Sequence, residues 1–166
     1  MQRYLLIMRH AQAEDIQPER HDRERELTSK GNQEALSMGS QLAQRSLAIN
    51  ALYTSSAERT KQTGSLISDV LKLENEAVLI QEDLYNSSIR TYLGFVNALS
   101  DELKTVLMIG HNPAVSYLAE YLTDSEVGSM PTAGICLIRF ELTSWQEVTK
   151  GCGKMLEFIY PEMYSR

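Results

Sequence analysis

Long apolar runs are missing from this 166-residue chain. None approaches the roughly 18 residues a membrane span requires, and Met1-Gln2-Arg3 is followed by only five apolar residues before Arg9-His10, too short for a secretory leader. A cytoplasmic protein without a membrane partner is expected. Cysteine is scarce too. Cys136 and Cys152 stand alone, with no Cys-x-x-Cys spacing, and read as reduced thiols rather than a disulfide, Cys136 as inert core. Positive charge is in deficit, at 16 Lys and Arg against 22 Asp and Glu, so no general attraction to nucleic acid or membrane is expected and any anion must be held by a local arrangement. The three histidines have no ligand-type spacing, so no metal cage is expected, and no cofactor is expected either. Repeats, low-complexity stretches and linkers are also absent. With an apolar fraction of 43%, residues 1–166 are expected to form a single domain.

What is present is an alternation of short apolar runs and amphipathic segments. Tyr4 to Met8 reads as a buried first strand that stops at Arg9-His10. Gln12 to Glu26 is polar and patternless, hence a loop, followed by a helix of about 16 residues capped by Thr28, in which Gly31 is tolerated rather than helpful. Ala51 to Thr54 is a second strand. It leads through Ser55-Ser56-Ala57 into a helix with Leu66, Ile67, Val70 and Leu71 on one face. Arg59 falls in that helix's first turn, where a cation opposes the helix dipole unless an anion sits between them. Ala77 to Ile80 is a third strand followed by Glu82-Asp83, and Ile89, Tyr92, Leu93, Val96 and Leu99 mark the next helix. Thr105 to Ile109 forms a fourth strand ending at Gly110-His111, with Asn112 as N-cap and Pro113 at the first helical position. A late strand at Ile135 to Phe140 is expected, and Trp145–Val148 with Met155–Tyr160 is expected to close a hairpin around Gly151 and Gly153. This order implies an α/β fold, a three-layer αβα sandwich around a mostly parallel sheet with an antiparallel edge.

In a parallel sheet the strand ends share one edge, which is where ligands collect. Two of these ends carry a histidine, one leads to an arginine and one carries carboxylates. His10, His111, Arg9, Arg59 and Glu82 or Asp83 can therefore converge although they are scattered along the chain. His21, by contrast, reads as a solvated charge, and Tyr85, Tyr92 and Tyr117 as packing residues.

The ordered set resembles the histidine phosphatase superfamily, whose Arg-His-Gly motif is matched by Arg9-His10-Ala11 with Ala in place of Gly. The small SixA-type phosphohistidine phosphatases are the most similar branch. Arg25-Glu26-Leu27-Thr28-x-x-Gly31, Ser55-Ser56-Ala57-Glu58-Arg59-Thr60-x-Gln62-Thr63, Ile109-Gly110-His111-Asn112-Pro113 and Met130-Pro131-Thr132-Ala133-Gly134-Ile135 carry the likeness. The resemblance implies a phosphoglycerate mutase-like fold without a large cap insertion. It also implies His10 as nucleophile through a covalent phosphohistidine, a phosphate clamp of Arg9, Arg25, Arg59 and His111, and an acid after the third strand, Asp83 in preference to Glu82. The expected substrate is a phosphohistidine-bearing phosphotransfer protein and the expected state a monomer. A small-molecule phosphomonoesterase and a non-catalytic phosphate-binding module are the alternatives. Ala11 is expected to keep a conventional φ.

Overall fold

The computed structural model describes residues 1–165, and its centre is a six-stranded sheet in the order β3-β2-β4-β1-β5-β6. The strands are β1 (Gln2–Arg9), β2 (Ala51–Thr54), β3 (Val78–Ile80), β4 (Thr105–Gly110), β5 (Ile135–Glu141) and β6 (Gly153–Ile159); the helices are α1 (Ser29–Ala43), α2 (Glu58–Leu71), α3 (Ile89–Asn97) and α4 (Ala114–Thr123). β1 to β4 run parallel, while β5 lies antiparallel on β1 and β6 antiparallel on β5.

Alternation along the buried strands builds the three layers. Leu5 and Ile7 of β1 and Val106 and Met108 of β4 face one side, where Val96 of α3 and Val115 and Leu118 of α4 cover them. Leu6, Met8, Leu107 and Ile109 face the other, under Met38 and Leu42 of α1 and Ile67 of α2. Full burial of each such side chain stabilises by roughly 1.5–3 kcal/mol, so the two central strands are held from both faces.

The sequence reading differs from the structure at four places. Trp145–Glu147 is a 3-10 turn, so the antiparallel edge is the pair β5–β6 rather than a hairpin starting at Trp145; the indole is fully buried and donates to Leu103 O at 2.7 Å, an inward anchor that strand geometry does not offer. α4 starts at Ala114 with Pro113 as its cap residue, because the Asn112 side chain is engaged elsewhere, donating to Met130 O at 3.0 Å and accepting from Ser116 Oγ. β3 starts at Val78 because Ala77 ends a 3-10 turn, and it is an edge strand with Ile80 60% exposed. Gly31, finally, is required: a Cβ there would sit 2.0 Å from Gln12 O, where α1 crosses the loop after β1. Thr28 caps α1 as expected, accepting from Gly31 N–H at 3.0 Å.

Candidate active site

β1 and β4 are neighbours at the middle of the sheet, and α1 and α2 cover the face opposite to α3 and α4. The strand ends thus open into a crevice of the kind α/β sheets use for ligands. At this edge lies a cavity of about 450 Å³ lined by Arg9, His10, Arg25, Arg59 and His111, five of the residues singled out from sequence, together with Asp22 and Tyr85.

His10 is held by backbone on both sides of its plane of entry: its N–H donates to Gly110 O at 3.2 Å and its carbonyl accepts from Ala133 N–H at 3.0 Å. Its Nδ1 is 2.7 Å from Ala11 O. A carbonyl can only accept, so Nδ1 carries a proton and the neutral ring keeps its lone pair on Nε2. Burial pushes the imidazole down to about 3; the bond to Ala11 O works the other way, and His111, Arg59 and Arg9 add to the lowering. At neutral pH His10 is therefore an uncharged base with a free nitrogen. Ala11 is not among the residues with positive φ, so the Ala in place of Gly leaves a conventional backbone.

His111 follows β4. Its N–H donates to the hydroxyl oxygen of the buried Tyr92 at 3.2 Å, and its ring centroid stands 5.3 Å from that of His10. Burial and then the charge of Arg59 lower it to about 4, with Asp22 opposing and Arg25 and Arg9 adding to the lowering, so it too is neutral.

Three guanidiniums surround the imidazoles. Arg9 anchors Nη1 on Met130 O at 3.0 Å, on the segment that also bonds His10; burial pulls it below its ordinary value, and Glu34 opposes that pull. Arg59 is 6% exposed and directs Nη1 to Asp22 O at 2.8 Å and Nη2 to Asp22 Oδ2 at 2.9 Å. Arg25 rests Nε on Glu14 O and Nη1 on Asp22 Oδ1, both at 2.8 Å. Among the described residues the buried Nε atoms of Arg9 and Arg59 have no hydrogen-bond partner.

Asp22 supplies the anion that Arg59's place in the first turn of α2 calls for. Its carboxylate accepts from Arg59, Arg25 and the Tyr85 hydroxyl, the last at 2.7 Å. Burial works upward on this carboxyl, but those bonds and the Arg59 charge prevail and hold it well below the carboxylate range. Tyr85 stands edge-on to His111 with centroids 5.5 Å apart and carries the Arg23 guanidinium over its ring at 4.2 Å, so it walls the cavity rather than merely packing.

Neither expected acid reaches the cavity. The 3-10 turn Glu82–Leu84 buries Leu84 and turns both carboxylates outward. Asp83 accepts from Gln81 at 3.3 Å beside a separate hollow that includes Tyr53 and Phe95, and exposed Glu82 pairs with Arg23 at 2.6 Å. His21 is exposed, as expected, and Tyr117 is exposed rather than packed. Sequence reasoning missed Asp22, Tyr85 and the Met130–Gly134 platform. The spacing Asp22-x-x-Arg25 was the available signal for the first, since positions three apart in a 3-10 turn share a face.

Residues 5–94 match the model of the histidine phosphatase superfamily, branch 1. The chain belongs to that superfamily. It is 30% identical over 150 residues to an uncharacterized protein of Mycobacterium tuberculosis, covering 84% of this chain and 91% of the relative. The structure of the protein histidine phosphatase SixA complexed with tungstate superimposes with a TM-score of 0.81 at 25% identity, over 99% of this chain and 100% of the other. A mycobacterial glucosyl-3-phosphoglycerate phosphatase has the same fold at 13% identity, with a TM-score of 0.69 over 97% and 99% of the two chains. The fold is thus that of SixA and phosphoglycerate mutase, and the histidine phosphatase described here is a phosphatase hydrolase.

Proposed function

We propose that this histidine phosphatase removes phosphoryl groups from phosphohistidine on phosphotransfer proteins of the cytoplasm, acting as a monomer through a covalent intermediate at His10. The observation that carries the proposal is the lack, among the described residues lining the cavity, of a carboxylic acid able to give up a proton: the one carboxyl there, Asp22, is held ionised by three donors. An alkoxide leaving from a phosphate ester needs a positioned proton donor, whereas the ring of phosphohistidine takes a proton from solvent on its unphosphorylated nitrogen before the P–N bond breaks and so leaves as neutral imidazole.

The rest of the cavity fits the same chemistry. Three guanidiniums and one carboxylate beside two neutral imidazoles leave two net positive charges, a match for a phosphoryl dianion. His10 Nε2 donates its lone pair to phosphorus as the bond to the substrate nitrogen breaks, and the departing ring, already protonated by solvent on its other nitrogen, keeps that electron pair and leaves as neutral imidazole. Water then attacks phosphorus, the bond to Nε2 breaks, and inorganic phosphate leaves. The work asked of the protein is positioning and charge stabilisation, which planar, bidentate arginines supply. The likeness to SixA supports the choice of substrate.

The test is to present the protein with a phosphohistidine-bearing phosphotransfer domain and, in parallel, with aryl and sugar phosphates, all with chelator. Turnover of the phosphohistidine domain far above that of sugar phosphates is expected. Sugar phosphates turned over at least as well as the domain would reject the proposal, and loss of activity to the chelator would reject the metal-free mechanism.

A further inference from the structure

The two imidazoles of the cavity are backed by different chemistry. Behind His10 stands a carbonyl, which fixes the proton on Nδ1. Behind His111 stands a hydroxyl: Nε2 is 2.7 Å from Ser55 Oγ. Ser55 Oγ is in turn 2.7 Å from Thr60 Oγ1, whose proton has Ala57 O as an acceptor at 2.8 Å, and Ala57 N–H donates back to Ser55 Oγ at 3.3 Å. Ser55, Ala57 and Thr60 are fully buried, so their protons are shared among these partners.

With Thr60 donating to the Ala57 carbonyl, the Ser55 proton has two destinations. It goes to Thr60 Oγ1, in which case Ser55 accepts from Nε2–H, or it goes to Nε2, in which case Nδ1 carries the ring proton. A phosphoryl oxygen only accepts, so beside it the remaining ring nitrogen, Nδ1, must donate. A carbonyl or carboxylate behind Nε2 would hold the proton of a neutral ring on the wrong nitrogen. A hydroxyl is the group that can give its own proton to Nε2 and leave Nδ1–H for the ligand.

We infer that Ser55, backed by Thr60, is a positioning residue that donates to His111 Nε2 when an oxyanion binds and so presents Nδ1–H to it. The inference rests on the phosphatase reading of the cavity, and acts through His111 alone. One backing group makes His10 an acceptor and nucleophile; the other makes His111 a donor. Neither Ser55 nor Thr60 touches the phosphoryl group.

Two measurements test it. In the 15N-histidine spectrum of the tungstate-bound protein, His111 is expected as the Nδ1–H tautomer, and Ser55→Ala is expected to turn it into a tautomer mixture. This readout needs no turnover, so it stands or falls separately from the choice of substrate. In a double-mutant cycle Ser55→Ala lowers kcat roughly 10- to 100-fold by itself, the scale of a misplaced catalytic group, and by less than about twofold in the His111→Ala background. Thr60→Val takes away the other destination of the Ser55 proton, so it is expected to draw His111 toward the Nδ1–H tautomer before any tungstate is added, and it serves if Ser55→Ala does not fold. A wild-type His111 that stays Nε2–H with tungstate, an unchanged single Nδ1–H tautomer in Ser55→Ala, a shift of His111 toward Nε2–H in Thr60→Val, or a kcat loss that persists in full without His111 would each overturn the inference.

Discussion

Lowering the pH from 7 to 5 separates a buried nucleophile from an ordinary one. An imidazole at its usual value near 6.5 would be about 76% neutral at pH 7 and about 3% at pH 5, a loss of roughly 25-fold in nucleophile. His10, pushed down to about 3 mainly by burial, stays more than about 98% neutral across that interval. The rate of phosphoenzyme formation in a single turnover, with the substrate's own ionisation divided out, is therefore expected to stay level within about twofold from pH 7 to 5. Stability moves instead. The unfolded chain takes up protons on His10 and His111 near 6.5, while the folded chain refuses them until about 3 and about 4. The contribution of these two groups is thus fully present above 6.5 and declines as pH falls toward those folded values, by roughly 3–4 kcal/mol between pH 7 and 5 for the pair. Urea unfolding at the two pH values reads this directly, and the His10→Ala/His111→Ala double variant should lose that part of the dependence. A 20-fold or greater fall in phosphorylation rate, or equal stability at pH 7 and 5, would refute the assignment of two buried neutral imidazoles.

Three further outcomes follow from particular contacts. Asp22→Asn removes the carboxylate that occupies Arg25 and Arg59, so tungstate is expected to bind at least about tenfold tighter in competition with substrate; weaker binding would mean that Asp22 serves mainly to hold the arginines in place. Gly31→Ala forces a Cβ to within 2.0 Å of Gln12 O and should cost about 1–3 kcal/mol of folding stability by denaturant titration, with no cost contradicting the close approach of α1 to the loop after β1. Glu82→Gln and Asp83→Asn, both turned away from the cavity, are expected to leave kcat/KM within about twofold of wild type, and a large loss in either would restore that residue as the acid.

The parallel core was legible because its strands are short continuous apolar runs separated by amphipathic helices, and because register alternation puts Leu5 and Leu6 on opposite faces whatever the loops do. The same logic brought His10, His111, Arg9 and Arg59 to one edge, since a residue at the end of a parallel strand has little freedom in where it lies. The acid was misplaced for the opposite reason. Glu82 and Asp83 lie beyond the strand in a 3-10 turn, where the inward position is taken by Leu84 rather than assigned by alternation. Asp22 lies in a run of charged residues, Arg20 to Glu26, within the patternless loop after β1. Its partners, Arg59 and Tyr85, are 37 and 63 residues away, so local pattern carries no trace of them. The segment from Met130 to Gly134, which holds Arg9 and His10, works through backbone groups, and backbone groups are invisible in residue identities.

The central claim is that His10 Nε2 forms the bond to phosphorus. Rapid quench of the protein mixed with a phosphohistidine-bearing phosphotransfer domain, followed by peptide mapping under alkaline conditions, tests it most directly. One phosphoryl group on the peptide carrying His10 is expected, stable to base, lost in acid and absent from His10→Ala, which should show no turnover. Turnover at the wild-type rate in His10→Ala, or a phosphoryl group found on another residue, would contradict the account.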